Sequence, residues 1–142
     1  MRSAVVLLLA ASVAAQADLD TVKAEPNLEK RSDRALQNAE QALDRARDAY
    51  QKGDDSVYNS AIDEVAQSID LCKQSLDESG KNARRSPKYF KKAEIGIRHL
   101  TRRLENFRIE ASVDDRAPVE KVISLAHRLQ EEILHAIMGK KR

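Results

Sequence analysis

Scarcity is the first feature of this 142-residue chain: one cysteine, no tryptophan, two phenylalanines, three tyrosines, four glycines and three prolines. Its single cysteine, Cys72, has no intramolecular partner, so disulfides do not hold the fold together. No stretch of β-branched residues repeats with period two, which excludes a strand-built architecture. No glycine-rich phosphate loop, no nucleophile with its base and no converging carboxylates on seam positions appear. The expectation is a protein that is not an enzyme. The net charge is only +2, and four of the five aromatics fall on apolar seams. A nucleic-acid reader would want a larger basic excess and stacking rings, so no nucleic-acid partner is expected.

Hydrophobic runs are short as well. The N-terminal one, "AVVLLLAA", follows the lone positive charge of "MRS" and precedes Ala15-Gln16-Ala17, a small-x-small cleavage site. It is about half of the roughly 20 residues that a membrane span needs. Nothing later in the chain approaches that length, so no transmembrane span is expected in the mature protein. Residues 1–17 read as a secretion signal peptide, and the mature chain should begin near Asp18, in the periplasm or secreted. No cysteine lies at the cleavage point to carry a lipid. Removing Arg2 takes the 25 cations to 24 against 23 acids, leaving the mature chain almost neutral.

What the sequence does have is helical periodicity. Residues 18–25 read as a flexible lead, 26–139 as a bundle and 140–142 as a basic tail. Pro26 suits the first turn of a helix and Gly53 the residue past its end. Leu36, Ala39, Leu43, Ala46 and Tyr50 form the seam between them. Ala35, Ala42 and Ala49 widen it, which should let this helix lie close against its neighbours. Asp54 or Asp55 opens a second helix with the seam Tyr58, Ile62, Val65, Ile69, Cys72 and Leu76, ended by Gly80. Ser86-Pro87 opens the third, with Phe90, Ala93, Ile97, Leu100, Leu104 and Phe107. Gly96 inside it costs about 1 kcal/mol relative to alanine. Asp114 or Asp115, then Pro118, opens the fourth, whose seam is Val119, Val122, Ala126, Leu129, Ile133 and Ala136, ended by Gly139. Four amphipathic helices joined by short connections predict an all-α, up-down-up-down antiparallel four-helix bundle with sequential helices as neighbours.

The near-neutral total conceals an asymmetry. Residues 53–80 hold seven acids and one cation; residues 81–110 hold ten cations and three acids. In an antiparallel hairpin of helices two and three, Asp77 and Glu78 would meet the cations at the start of helix three and offset them. Those two acids cannot match Lys81, Arg84, Arg85, Lys88, Lys91 and Lys92 together. Arg98 and Arg102 continue the charge along the face opposite the seam, with His99 and an outward Ile95 among them. The stretch 81–92, Ile95, Arg98 and Arg102 form the candidate contact surface for an anionic envelope component or an acidic partner protein. A solvated charged face is the competing reading, and self-association of the acidic helix of one copy with the basic helix of another is a third.

Other chemistry has weaker carriers. His127, Glu131 and His135 recur at steps of four, a spacing that can chelate a metal, but on a solvent-facing stripe without a third-party ligand. No physiological metal and no cofactor are expected. Cys72 sits on a seam and reads as core filler. The Ala-Tyr-x-x-Gly-Asp string at 49–54 resembles the turn of a tetratricopeptide hairpin, but it occurs once and does not recur with that repeat's period. A leader followed by four helices resembles the exported b-type cytochrome bundles, and that resemblance would imply haem held by a Met on helix one and a His on helix four. Helix one has neither residue. A metal- or haem-binding bundle is thus the alternative to the binding protein. Leader, spacing and the loop "RRSPKYFKK" resemble small exported four-helix-bundle proteins without an assigned function, which implies the fold and no activity.

Overall fold

The computed structural model describes residues 18–139; the leader at 1–17 and the tail at 140–142, with the expectations attached to them, lie outside the described residues. Four long helices carry the chain: α1 (Leu28–Lys52), α2 (Asp55–Glu78), α3 (Pro87–Glu110) and α4 (Ala117–Met138). Local chemistry sets their ends. The Asn27 side chain accepts the Lys30 N–H at 2.9 Å, and Asp54 accepts that of Val57 at 3.2 Å. Gly53, at φ +73°, returns its N–H to the Tyr50 carbonyl, a left-handed closure that penalises any residue with a Cβ.

Three boundaries differ from the sequence reading. Pro26 lies outside the Asn27 cap rather than in the first turn of α1. Asp114 and Asp115 form a separate 3-10 turn, Val113–Asp115, and Pro118 alone marks the first turn of α4. Asp115 instead accepts hydrogen bonds from the Tyr50 hydroxyl at 3.0 Å and the Ser112 hydroxyl at 2.7 Å. The lead is not loose throughout: residues 18–23 are helical, and Leu19 and Val22 are buried. Three residues apart, the two share one helical face and join the hydrophobic core.

The seams are buried as the periodicity predicts, except that Tyr50 is only partly buried and the last seam position of α4 is not buried at all. Ala136 is exposed, and Ile137 packs against the core in the last turn of α4. Alanines 35, 39, 42, 46 and 49 are almost wholly buried, and α2 faces them with small residues, Ala61, Ser68, Cys72 and Ser75. Small side chains on both surfaces let α1 and α2 approach most closely of all the pairs. Gly96 has a reason of the same kind. A Cβ there would lie 2.8 Å from Leu36 Cδ1, so glycine admits Leu36 between α1 and α3 and its helix-propensity cost is offset by packing. At one end of the bundle Tyr50, Tyr58 and Phe107 cluster with ring centroids 5.4 to 6.1 Å apart.

Helix direction alternates along the chain, yet the arrangement of neighbours differs from the expected one. α1 packs on α2 and α3 on α4; the two hairpins then stack with α1 beside α3 and α2 beside α4. α2 and α3, consecutive in sequence, lie across the diagonal. Cross-helix pairs fix the senses. Lys92 reaches Asp33, His99 reaches Glu40 and Arg103 reaches Asp44, a constant offset that makes α1 and α3 parallel. Arg31 reaches Glu78 and Asn38 reaches Ser68, so α1 and α2 are antiparallel. The connection at 79–86 permits the diagonal because eight extended residues reach about 26 Å. The diagonal of helices packed about 10 Å apart is only about 14 Å.

One acid is buried between α1 and α2. Glu64 pairs with Arg45 and accepts from the Asn38 amide at 3.4 Å, while that amide also donates to Ser68 at 2.9 Å. Burial pushes its carboxyl above the ordinary 4.5, with Arg45 and Asn38 opposing. The folded chain therefore keeps this proton where the unfolded chain has lost it. Glu64 favours folding most below pH 4.5, and that contribution is lost as pH rises through the raised pKa. Glu29 acts with the opposite sign below 4.5, because its hydrogen bond with Lys81 holds it down. In urea unfolding across the mildly acidic range, Glu64→Gln should remove this decline and leave the contribution of Glu29 intact. Parallel pH profiles for wild type and variant would contradict the assignment.

Candidate interaction surface

The loop between α2 and α3 is built locally. Ala83 is buried beneath it, and the Asn82 side-chain oxygen accepts the N–H groups of Arg84 and Arg85 at 2.9 and 3.3 Å. Lys81 lies over the Tyr89 ring, 4.4 Å from its centroid, and pairs with Glu29 at 2.7 Å. That bond raises the Lys81 pKa as it lowers that of Glu29. Arg84 rests against Gly139, where an added Cβ would meet its Nε at 2.6 Å. The guanidinium thus sits at the C-terminus of α4, where a cation is favoured by the helix dipole. Ser86 precedes α3 without a side-chain bond to its first turn, which contains no acid.

The expected meeting of Asp77 and Glu78 with the basic helix does not occur. Glu78 is bound by Arg31 at 2.6 Å, and among the described residues neither acid pairs with a cation of α3 or of the loop before it. The counter-charges come from α1: Asp33 holds Lys92, and Glu40 and Asp44 hold Arg103, with His99 on Glu40. Asp33, Glu40 and Asp44 were visible in the sequence as a stripe at steps of seven and four. The balanced total charge of α1 concealed them.

Sorted this way, the candidate residues fall into two groups. Lys81, Lys92 and Arg98 have acidic partners, Arg98 only its own-helix Glu94 at 3.6 Å, and Arg84 has the end of α4. Arg85, Lys88, Lys91 and Arg102 are exposed, and among the described residues none of the four has an ion-pair partner. Lys88, Lys91, Ile95, Arg98 and Arg102 line one outer stripe of α3, and Ile95 is 56% exposed. The stripe continues to Ile109, 67% exposed, a residue the sequence reading missed although it lies fourteen positions, or two heptads, beyond Ile95.

The remaining candidates are not brought together. His127 lies 3.3 Å from Glu105, and His135 and Glu131 stand exposed. Among the described residues no three His, Cys, Asp or Glu side chains are placed to hold a metal ion. Cys72 is fully buried and its thiol is pushed up to about 12 by burial, so it packs as a small apolar group. No described helix is long and apolar enough to cross a membrane. Compared with protein-family models, curated proteins and solved structures, the chain matches none of them.

Proposed function

We propose that this is an exported, non-catalytic binding protein whose α3 surface contacts an anionic envelope component or an acidic partner protein. What supports the reading is the division of charge on α3. Cations facing α1 are matched by Asp33, Glu40 and Asp44, whereas Arg85 in the preceding loop and Lys88, Lys91 and Arg102 on α3 are exposed and have no ion-pair partner among the described residues. Charge that serves the fold is already paired. The surplus sits on one outer surface together with an exposed isoleucine, the composition of a contact with something negative.

The test is retention on phosphatidylglycerol vesicles and on a soluble anionic polymer, comparing wild type with a variant in which those four residues are reversed to glutamate. Equal retention of both proteins on both probes would defeat the proposal. Export has its own test. Mass spectrometry of the protein from its own cells should find an N-terminus near Asp18, and bulk protein retaining Met1 or Arg2 would remove the compartment from the reading.

A further inference from the structure

α2 carries a second unmatched stripe. Asp63, Asp70 and Asp77 recur every seven residues, are exposed, and make no ion pair among the described residues. They form the α2 rim of a groove between α2 and α4 whose floor is apolar. One depression of about 670 Å³ is lined by Ile62, Ala66, Val122 and Leu125 beside Asp63. Two further depressions follow along the same groove, beside Asp70 with Ile69 and Leu129, and beside Asp77 with Leu76 and Ile133. Lys121 and Arg128 stand on the α4 rim, and Lys73 is held by Glu132. The negative side of the groove is therefore its α2 side.

Because α2 and α3 lie across the diagonal, this groove and the basic stripe belong to opposite sides of one molecule. Their heights nonetheless correspond. The pairs Arg31–Glu78 and Asn38–Ser68 relate α2 to α1, and Asp33–Lys92 and Glu40–His99 relate α1 to α3. Carried through, they place Asp77 level with Lys88 and Lys91, Asp70 level with Ile95 and Arg98, and Asp63 level with Arg102. Ile109 falls at the level of Asn59 and Ile62, where the most voluminous of these three depressions opens. A copy displaced sideways, without rotation, would bring α3 antiparallel to α2 with acids opposite cations and isoleucines opposite an apolar floor.

We propose that the protein self-associates in this way, the α3 stripe of one copy seating in the α2/α4 groove of the next. The proposal rests on α3 being a contact face and names a second copy as its acidic partner. The two surfaces differ and lie on opposite sides, so the contact is heterologous and repeats into open chains rather than closing as a two-fold dimer. Its charged character corresponds to the weak class of interfaces, with Kd on the order of 10–100 μM.

Sedimentation of purified protein over a concentration series tests this at about 0.05 M and about 0.5 M salt, between which the Debye length falls from roughly 14 Å to roughly 4 Å. Average mass should climb past the dimer at low salt and return to the monomer at high salt. The variant Arg98→Glu/Arg102→Glu keeps only the groove, and Asp63→Asn/Asp70→Asn/Asp77→Asn keeps only the stripe. Each alone should be monomeric, with an unchanged helical circular dichroism spectrum, and their mixture should form a one-to-one dimer that grows no further. A monomeric wild type at low salt, either variant associating by itself, or a mixture that stays monomeric would each overturn the proposal. The aspartate variant should still be retained on anionic vesicles. Retention with a monomeric wild type therefore defeats self-association alone, and association without retention on either anionic probe defeats the envelope-contact reading alone.

Discussion

Leu100→Ala and Ile69→Ala are each expected to lower the unfolding free energy by about 2–5 kcal/mol, the range for removing a large aliphatic side chain from a packed core. Leu100 is 0% exposed and Ile69 2% exposed. One lies on the basic helix and the other on the acidic helix across the diagonal from it. Both side chains lie within the hydrophobic core, so truncating either one leaves a cavity that its packed neighbours fill only in part. Urea unfolding should show the midpoint falling by roughly 1–2 M with the slope unchanged. For a domain whose whole stability is about 5–15 kcal/mol, either change is a large fraction of it. Arg102→Ala, on the outer surface of the same helix as Leu100, should cost less than about 0.5 kcal/mol. Equal costs at Arg102 and Leu100 would mean that α3 is rotated from the orientation described.

The second large effect concerns binding rather than stability. Reversing Arg85, Lys88, Lys91 and Arg102 turns four outward positive charges into four negative ones. With each cation near an anionic surface worth about 1 kcal/mol, loss of the attraction alone weakens retention by about three orders of magnitude at low salt. Wild-type retention should itself fall steeply above about 0.15 M salt, where the Debye length drops below roughly 8 Å. Stability should change little, because among the described residues these four have no ion-pair partners to lose. The paired cations supply the contrast. Lys92→Glu and Arg103→Glu set like charges against Asp33, Glu40 and Asp44, so they should destabilise the fold by up to about 1 kcal/mol per lost pair while reducing retention less. If the two sets of reversals trade places, with the outward set unfolding the protein and the inward set abolishing retention, the division of charge on α3 is wrong.

Much of this protein was decided by its sequence alone. The four helices, nearly all their seam residues, the close alanine-lined approach of α1 and the outward position of Ile95 follow from periodicity, because a residue's angular place on a helix is set by backbone geometry within a few turns. Stop signals such as Gly53 and Gly80 are equally local. Which helices become neighbours is not local. An eight-residue loop reaches an adjacent helix or a diagonal one with equal ease, so the connection at 79–86 did not specify where α3 would lie. That was settled by contacts between segments far apart in the chain: Leu36 fitting over Gly96, and Asp33, Glu40 and Asp44 meeting Lys92, His99 and Arg103. Only then did it become definite which cations were bound within the molecule and which were left facing outward. The unmatched aspartates of α2 and the unmatched cations of α3 were both readable as charge in the sequence. Their separation onto opposite sides of one bundle was decided by the diagonal, because packing energy accrues between faces and is indifferent to the order in which the chain visits them.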